Sequence, residues 1–228
     1  TYTYNGELQG EAGGHYTGDE AAAKVEITGL QGNDKLWSID MKTYKETDAD
    51  TYEDKLEFDT VSSARPDATS DNAREYYETI GTEVIDKMPL SVNYNVKIEN
   101  GDLIIKKAEL EIHVKGNEDT VTYDGVKHTV SGFTVVNPED VPEGTQVIWN
   151  FTTLLRVEKA NVGTYPLPLV ANRFALTGTG ADNYEVTFVV DSEGGLTINK
   201  ADLTIKINDQ TYTYNGELQG EAGGHYTG

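Results

Sequence analysis

The sequence predicts an all-β protein: two tandem β-sandwich modules in an elongated array, the first carrying a short helical insertion. Three observations predict it. Residues 211–228 repeat residues 1–18 without a change, so the sequence reads as one period of a tandem array and the opening of the next copy. A weaker repeat lies inside that period, where four short landmarks recur in the same order. Between them, short runs rich in Val, Ile, Tyr and Thr are broken by Gly-, Asn- and Asp-bearing turns, the pattern of an Ig-like sandwich.

The landmarks set the module boundaries. Thr3-Tyr4-Asn5-Gly6 matches Thr122-Tyr123-Asp124-Gly125, and Ala49-Asp50-Thr51-Tyr52 resembles Val162-Gly163-Thr164-Tyr165. Asn93-Tyr94-Asn95-Val96 matches Asn183-Tyr184-Glu185-Val186, and the run from Gly101 to Ala108 aligns with the run from Gly195 to Ala201. The first module is therefore 1–107, the second 108–200, and 201–228 holds the first strands of the next copy of the first module. In this register the first module lacks the strand equivalent to 201–209.

Taken in order, Asn5-Gly6 and Asp124-Gly125 are the pairs preferred in a type I′ hairpin, whose central residues both need positive φ. Strands are expected at 23–28, 35–41, 52–58, 92–98, 128–136, 146–155, 164–170 and 184–190. The modules differ most where 52–94 of the first is set against 165–184 of the second. The extra residues include 71–88, which stay free of Pro and place Tyr76, Tyr77, Ile80, Val84, Ile85 and Met88 on a stripe of helical spacing. That segment is expected to be the helical insertion, either a lid over a sheet edge or an added recognition feature.

Each module ends in an alternating strand that runs straight into the next. Leu103 and Ile105 are odd-numbered, whereas Ala108, Leu110, Ile112 and Val114 are even. The same slip separates Leu196 and Ile198 from Ala201, Leu203, Ile205 and Ile207. A one-residue slip in a period-two element turns its buried side chains to the opposite face. Lys107-Ala108 and Lys200-Ala201 are thus the points where the backbone leaves one core and enters another, with no Gly, Pro or Ser linker.

Composition narrows the function. A net charge of −21 repels phosphate backbones and anionic lipid, which disfavours nucleic acid and membrane surfaces as partners. Cysteine is absent, which excludes thiol catalysis, zinc-thiolate sites and disulfide scaffolds. The histidines His15, His113, His128 and His225 show no ligand spacing, and no Gly-x-Ser-x-Gly or phosphate loop occurs. No enzymatic role and no cofactor are expected. The one metal considered is calcium, with Asp48, Asp50 and Asp54 as candidate ligands in an acidic turn. The aligned turn at Asn161 to Tyr165 has no acid, so the turn itself needs no metal. Lys107 and Lys200 are candidate amine donors for an internal isopeptide bond, against the simpler reading of a lysine marking the exit from a core.

The ordered set Tyr-Asn/Asp-Gly, Gly-Thr-Tyr, Asn-Tyr-x-Val and Gly-x-Leu-x-Ile-x-Lys-Ala resembles the MBG/YDG-type (mostly-β, glycine-rich) tandem repeats of bacterial surface proteins and adhesins. The second module carries it best, through Tyr123-Asp124-Gly125, Gly163-Thr164-Tyr165 and Asn183-Tyr184. The first departs from it at Asp50 and by its insertion. The resemblance implies an extracellular, cell-surface structural protein, part of a stalk or filament. Its partners would be neighbouring copies of the same repeat, in cis or as filament subunits. Strand donation would use Lys107, Ala108, Lys200, Ala201, Leu203, Ile205 and Ile207, with 201–209 of a preceding unit pairing with residues 1–18. The alternative is a ligand-binding adhesin that meets a glycan or protein through the insertion.

Overall fold

A computed structural model describes residues 1–32, 35–64, 76–79, 88–89, 94–221 and 223–224. The first half holds β1 (Tyr2–Thr3), β2 (Gln9–Glu11), β3 (Gly14–Thr17), α1 (Gly18–Lys24), β4 (Lys35–Met41), β5 (Tyr44–Glu46), β6 (Thr51–Leu56), β7 (Phe58–Ala64), β8 (Tyr76–Thr79), β9 (Met88–Pro89) and β10 (Gly101–Lys106). The second holds β11 (Ala108–Gly116), β12 (Glu118–Thr122), β13 (His128–Ser131), β14 (Phe133–Val135), β15 (Thr145–Trp149), β16 (Arg156–Lys159), β17 (Gly163–Pro166), β18 (Phe174–Gly178), β19 (Tyr184–Ser192) and β20 (Gly195–Asn199). The protein is all-β, with α1 the one α-helix among the described residues.

The two halves share a pairing scheme. In the first, β10 lies between β1, which is parallel to it, and β6, which is antiparallel. In the second, β20 lies between parallel β12 and antiparallel β17. The strand ends match in detail: Tyr4 N donates to Lys106 O at 2.8 Å, and Tyr123 N to Asn199 O at 2.9 Å. Antiparallel β2–β5 corresponds to β13–β16, and β4–β7, with Met41 opposite Phe58, corresponds to β15–β18, with Trp149 opposite Phe174. The Tyr-Asn/Asp-Gly, Thr-Tyr and Gly101–Lys106/Gly195–Asn199 landmarks fall at equivalent places in this scheme, whereas Tyr184 begins β19 and Tyr94 begins no strand.

The halves differ in their cores. Ile112, Val114, Val130, Leu155, Leu167, Leu169, Phe174, Leu196 and Ile198 form one buried cluster in the second. Phe133 and Trp149 meet Phe174 edge-on within it, at ring distances of 4.8 and 5.2 Å. In the first, the buried cluster among the described residues is Ala21, Ile39 and Met41. Leu103 and Ile105 are buried on β10. Burial thus follows odd positions on β10 and even positions on β11, as the slip in apolar phase requires.

Several expectations are corrected. Tyr76–Thr79, inside the expected helix at 71–88, is a strand antiparallel to β7, because a short isolated helix is costly to nucleate in water and an existing strand supplies a ready template for pairing. The parts of that segment at 71–75 and 80–87 lie outside the described residues. No strand forms at 23–28: Ala23 and Lys24 belong to α1, which Ala21, Ala22 and Ala23 favour and which Asp19 and Glu20 support at its first turn, and 25–28 carry no ladder. Residues 94–98, of the strand expected at 92–98, carry no ladder, and 92–93 lie outside the described residues. The Asn-Gly turns are not type I′. Gly6 and Gly125 take φ of +80° and +82°, but Asn5 and Asp124 do not enter the left-handed region. Their side chains instead accept the N–H two residues on, from Glu7 and Val126, each at 3.0 Å. The turn links two sheets rather than a hairpin, since β1 pairs with β10 and β2 with β5.

Candidate functional site

The chain passes from its first half to its second at the junction where β10 is followed by β11 with only Lys107 between them. Residues 101–106 belong to the β1–β10–β6 sheet and 108–116 to the β14–β11–β19 sheet. Ala108 starts the second ladder directly opposite Tyr184, and the parallel pairing continues through Leu110–Val186 and Ile112–Phe188. Lys107 is exposed, and so is Lys200. An isopeptide bond needs its lysine buried beside an acid and an amide, so neither position suits one.

A second tie crosses the junction at Asn183. This side chain is 5% exposed, at the end of a short turn set by Gly180 at φ +80°. Its Nδ2 donates to Asp48 Oδ1 at 2.9 Å, and its Oδ1 accepts from Ala49 N at 2.7 Å. The Asp48 turn is itself held by the Tyr52 hydroxyl, which donates to Asp48 O at 3.0 Å. The same bond recurs from Tyr165 to Asn161 O at 3.0 Å, so the turn is shared by both halves and only the contact to Asn183 is added. A third tie is aromatic. Tyr4 meets Tyr184 edge-on at 5.4 Å and 79°, and burial, with Tyr4 beside it, pushes the Tyr184 hydroxyl above its ordinary pKa.

The calcium candidates are not gathered into one site. Asp48 is engaged with Asn183, Asp50 Oδ1 accepts from the N–H of Thr51 at 2.8 Å, and Asp54 sits at φ +55° with its N–H on Asp102 Oδ1 at 2.9 Å. Among the described residues no group of three or more His, Asp or Glu side chains is placed to hold a metal. No helix among them is long and apolar enough to cross a membrane. The Asp48–Asn183 contact was not legible in advance. Its only signal was that Asn183-Tyr184 is a landmark.

A groove of about 1050 Å³ opens in the first half. One wall is 94–101 and the other runs from Lys24 to Leu30. Ile39, Met41, Leu56 and Phe58 form its floor. At its rim Glu11, 8% exposed, accepts from Lys24 Nζ at 2.6 Å, from the Tyr16 hydroxyl at 2.6 Å and from Gly13 N at 2.9 Å. Burial alone would raise the Glu11 pKa, but Lys24, Tyr16 and the Gly13 N–H together hold it below its ordinary value.

Residues 1–18 do not present an unpaired β3. Gly14–Thr17 pairs with β4, whereas its counterpart β14 pairs with β11. The edge expected to receive a donated strand is therefore filled from within 19–108. Segment 201–209 forms no strand, and Ala201, Leu203, Ile205 and Ile207 are exposed, the last three at 83%, 83% and 86%. Comparison of the chain with protein-family models, with curated proteins and with solved structures finds no match.

Proposed function

We propose that the chain is a structural tandem-repeat segment of a bacterial surface stalk, adhesin or extracellular filament, of the MBG/YDG type, acting as a stiff spacer between Ig-like sandwich modules. The observation that carries this reading is the passage of β10 into β11 with only Lys107 between them. A linker of flexible residues lets neighbours reorient, whereas one extended backbone shared by two ladders fixes both translation and twist. The Asn183 and Tyr4–Tyr184 contacts then oppose bending about Lys107. A charge of −21 on the chain keeps parallel stalks apart. Exact repetition of 1–18 at 211–228 lets such units be strung in register.

Small-angle scattering and electron microscopy of a chain carrying two full periods test the proposal. A spacer gives a narrow distribution of end-to-end distances that grows in proportion to the number of periods. A broad distribution, as of beads on a flexible string, would rule it out.

A further inference from the structure

We infer that the groove between 94–101 and Lys24–Leu30 is the seat of segment 201–209 of another copy of this chain, the copy immediately preceding it in the array. The inference rests on the array reading proposed above and supplies its missing contact.

In the second half of the same chain β19, the counterpart of the 94–98 wall, is paired with β11. There β11 lies between β14 and β19, and its Ile112 and Val114 reach zero exposure in the core. The longer of its two ladders is the parallel one to β19, beginning Ala108–Tyr184. In the first half, 94–98 is the counterpart of the start of β19 by its Asn-Tyr-x-Val landmark, yet residues 95–100 form no ladder among the described residues. Val96 and Ile98 are left 37% exposed on the groove wall. The half that lacks a β11 is also the half with the small buried cluster.

The proposed occupant matches the vacancy in sequence. Ala201, Leu203, Ile205 and Ile207 align with Ala108, Leu110, Ile112 and Val114. Seated in the parallel register of β11, Ala201 would face Tyr94, Leu203 would face Val96, and Ile205 would face Ile98. Alternate side chains would then turn onto the floor of Ile39, Met41 and Phe58. The chain path also agrees. β11 passes to β12 through Asn117 alone, and 201–209 passes through Gln210 to the copy of 1–18 whose Tyr2–Thr3 is the β12 counterpart. The seat differs from the one expected from sequence: the pairing partner is 94–100, while β3 keeps β4.

The test compares the full chain with the same chain extended ahead of Thr1 by the sequence of 201–210, the order the repeat dictates. Amide hydrogen exchange is read at 95–100. The extension is expected to slow exchange there on the order of 100-fold. The same extension carrying Ile205→Asp and Ile207→Asp is expected to leave exchange as in the unextended chain. Unchanged exchange on native extension, or equal slowing by the substituted one, would overturn the inference. Failure of the spacer reading looks different: a two-period chain that bends freely while its 95–100 amides remain protected.

Discussion

Single residues show how the two halves diverged. In the alignment of Tyr4 with Tyr123, Glu11 stands where the second half has Val130, a core residue 5% exposed. A carboxylate at such a place persists only with partners, and Lys24, Tyr16 and Gly13 supply them. Lys24→Met keeps the aliphatic length but removes the charge, so it should lower unfolding free energy by about 1–3 kcal/mol in urea titration. Because the Glu11 pKa is held down in the fold, its contribution is present above the ordinary carboxylate range and fades as pH falls through the depressed value. His113 has the opposite sign. Its Nδ1 lies 2.7 Å from Asp191 and its Nε2 3.1 Å from Glu111, and these bonds raise its pKa above 6.5. Stabilisation by the imidazolium is full below about 6.5 and is lost as pH climbs through the raised value. The denaturation midpoint of the second half should therefore drop over that window, and His113→Gln should remove the drop. An NMR titration of the ring should locate the shifted pKa.

At the scale of elements, pairing decided what periodicity left open. The stripe at 71–88 has helical spacing, yet Tyr76–Thr79 joins β7. A short amphipathic helix in water is marginal, and a neighbouring strand edge competes with it successfully. The reverse holds at Ala21 to Lys24, where an alanine run favours a helix against the strand expected from residue 23 onward. Strand ends here depend on close backbone approach. A Cβ on Gly116 would lie 1.9 Å from Glu193 O, where β11 ends against the β19–β20 turn. Gly116→Ala should thus cost about 1–3 kcal/mol by forcing that turn away. Gly125, at φ +82° but with open space around it, should lose only about 1 kcal/mol on the same change. Thermal unfolding of the two variants side by side checks the difference.

For the whole molecule, the proposed stiffness would reside in the junction rather than in either core. Asn183→Ala removes both bonds to the Asp48 turn, which leaves the strand passage and the Tyr4–Tyr184 contact. The distribution of end-to-end distances from scattering should widen, while the far-ultraviolet dichroism of the strands stays unchanged. An unchanged distribution would show that the strand passage and the Tyr4–Tyr184 contact set the angle without Asn183. The change of buried face between β10 and β11 was legible because it is written in a local period of two. The Asp48–Asn183 bond, the partner of β3 and the strand character of 76–79 were not, since each depends on residues far apart in the chain meeting in space.

The repeated segment separates these two kinds of information within one molecule. Asn5 and Asn215 both accept the N–H two residues on, at 3.0 and 2.9 Å, and Gly6 and Gly216 take φ of +80° and +84°. Gln9 and Gln219 both donate to the threonine six residues back, at 3.0 and 2.9 Å. The sequence by itself determines that turn, because every group it needs lies within a few bonds. Yet Tyr2–Thr3 is a strand and Tyr212-Thr213 is not. Extended backbone becomes a strand only where a second backbone satisfies its N–H and C=O groups, and β10 does so for the first copy alone. That choice belongs to the tertiary structure.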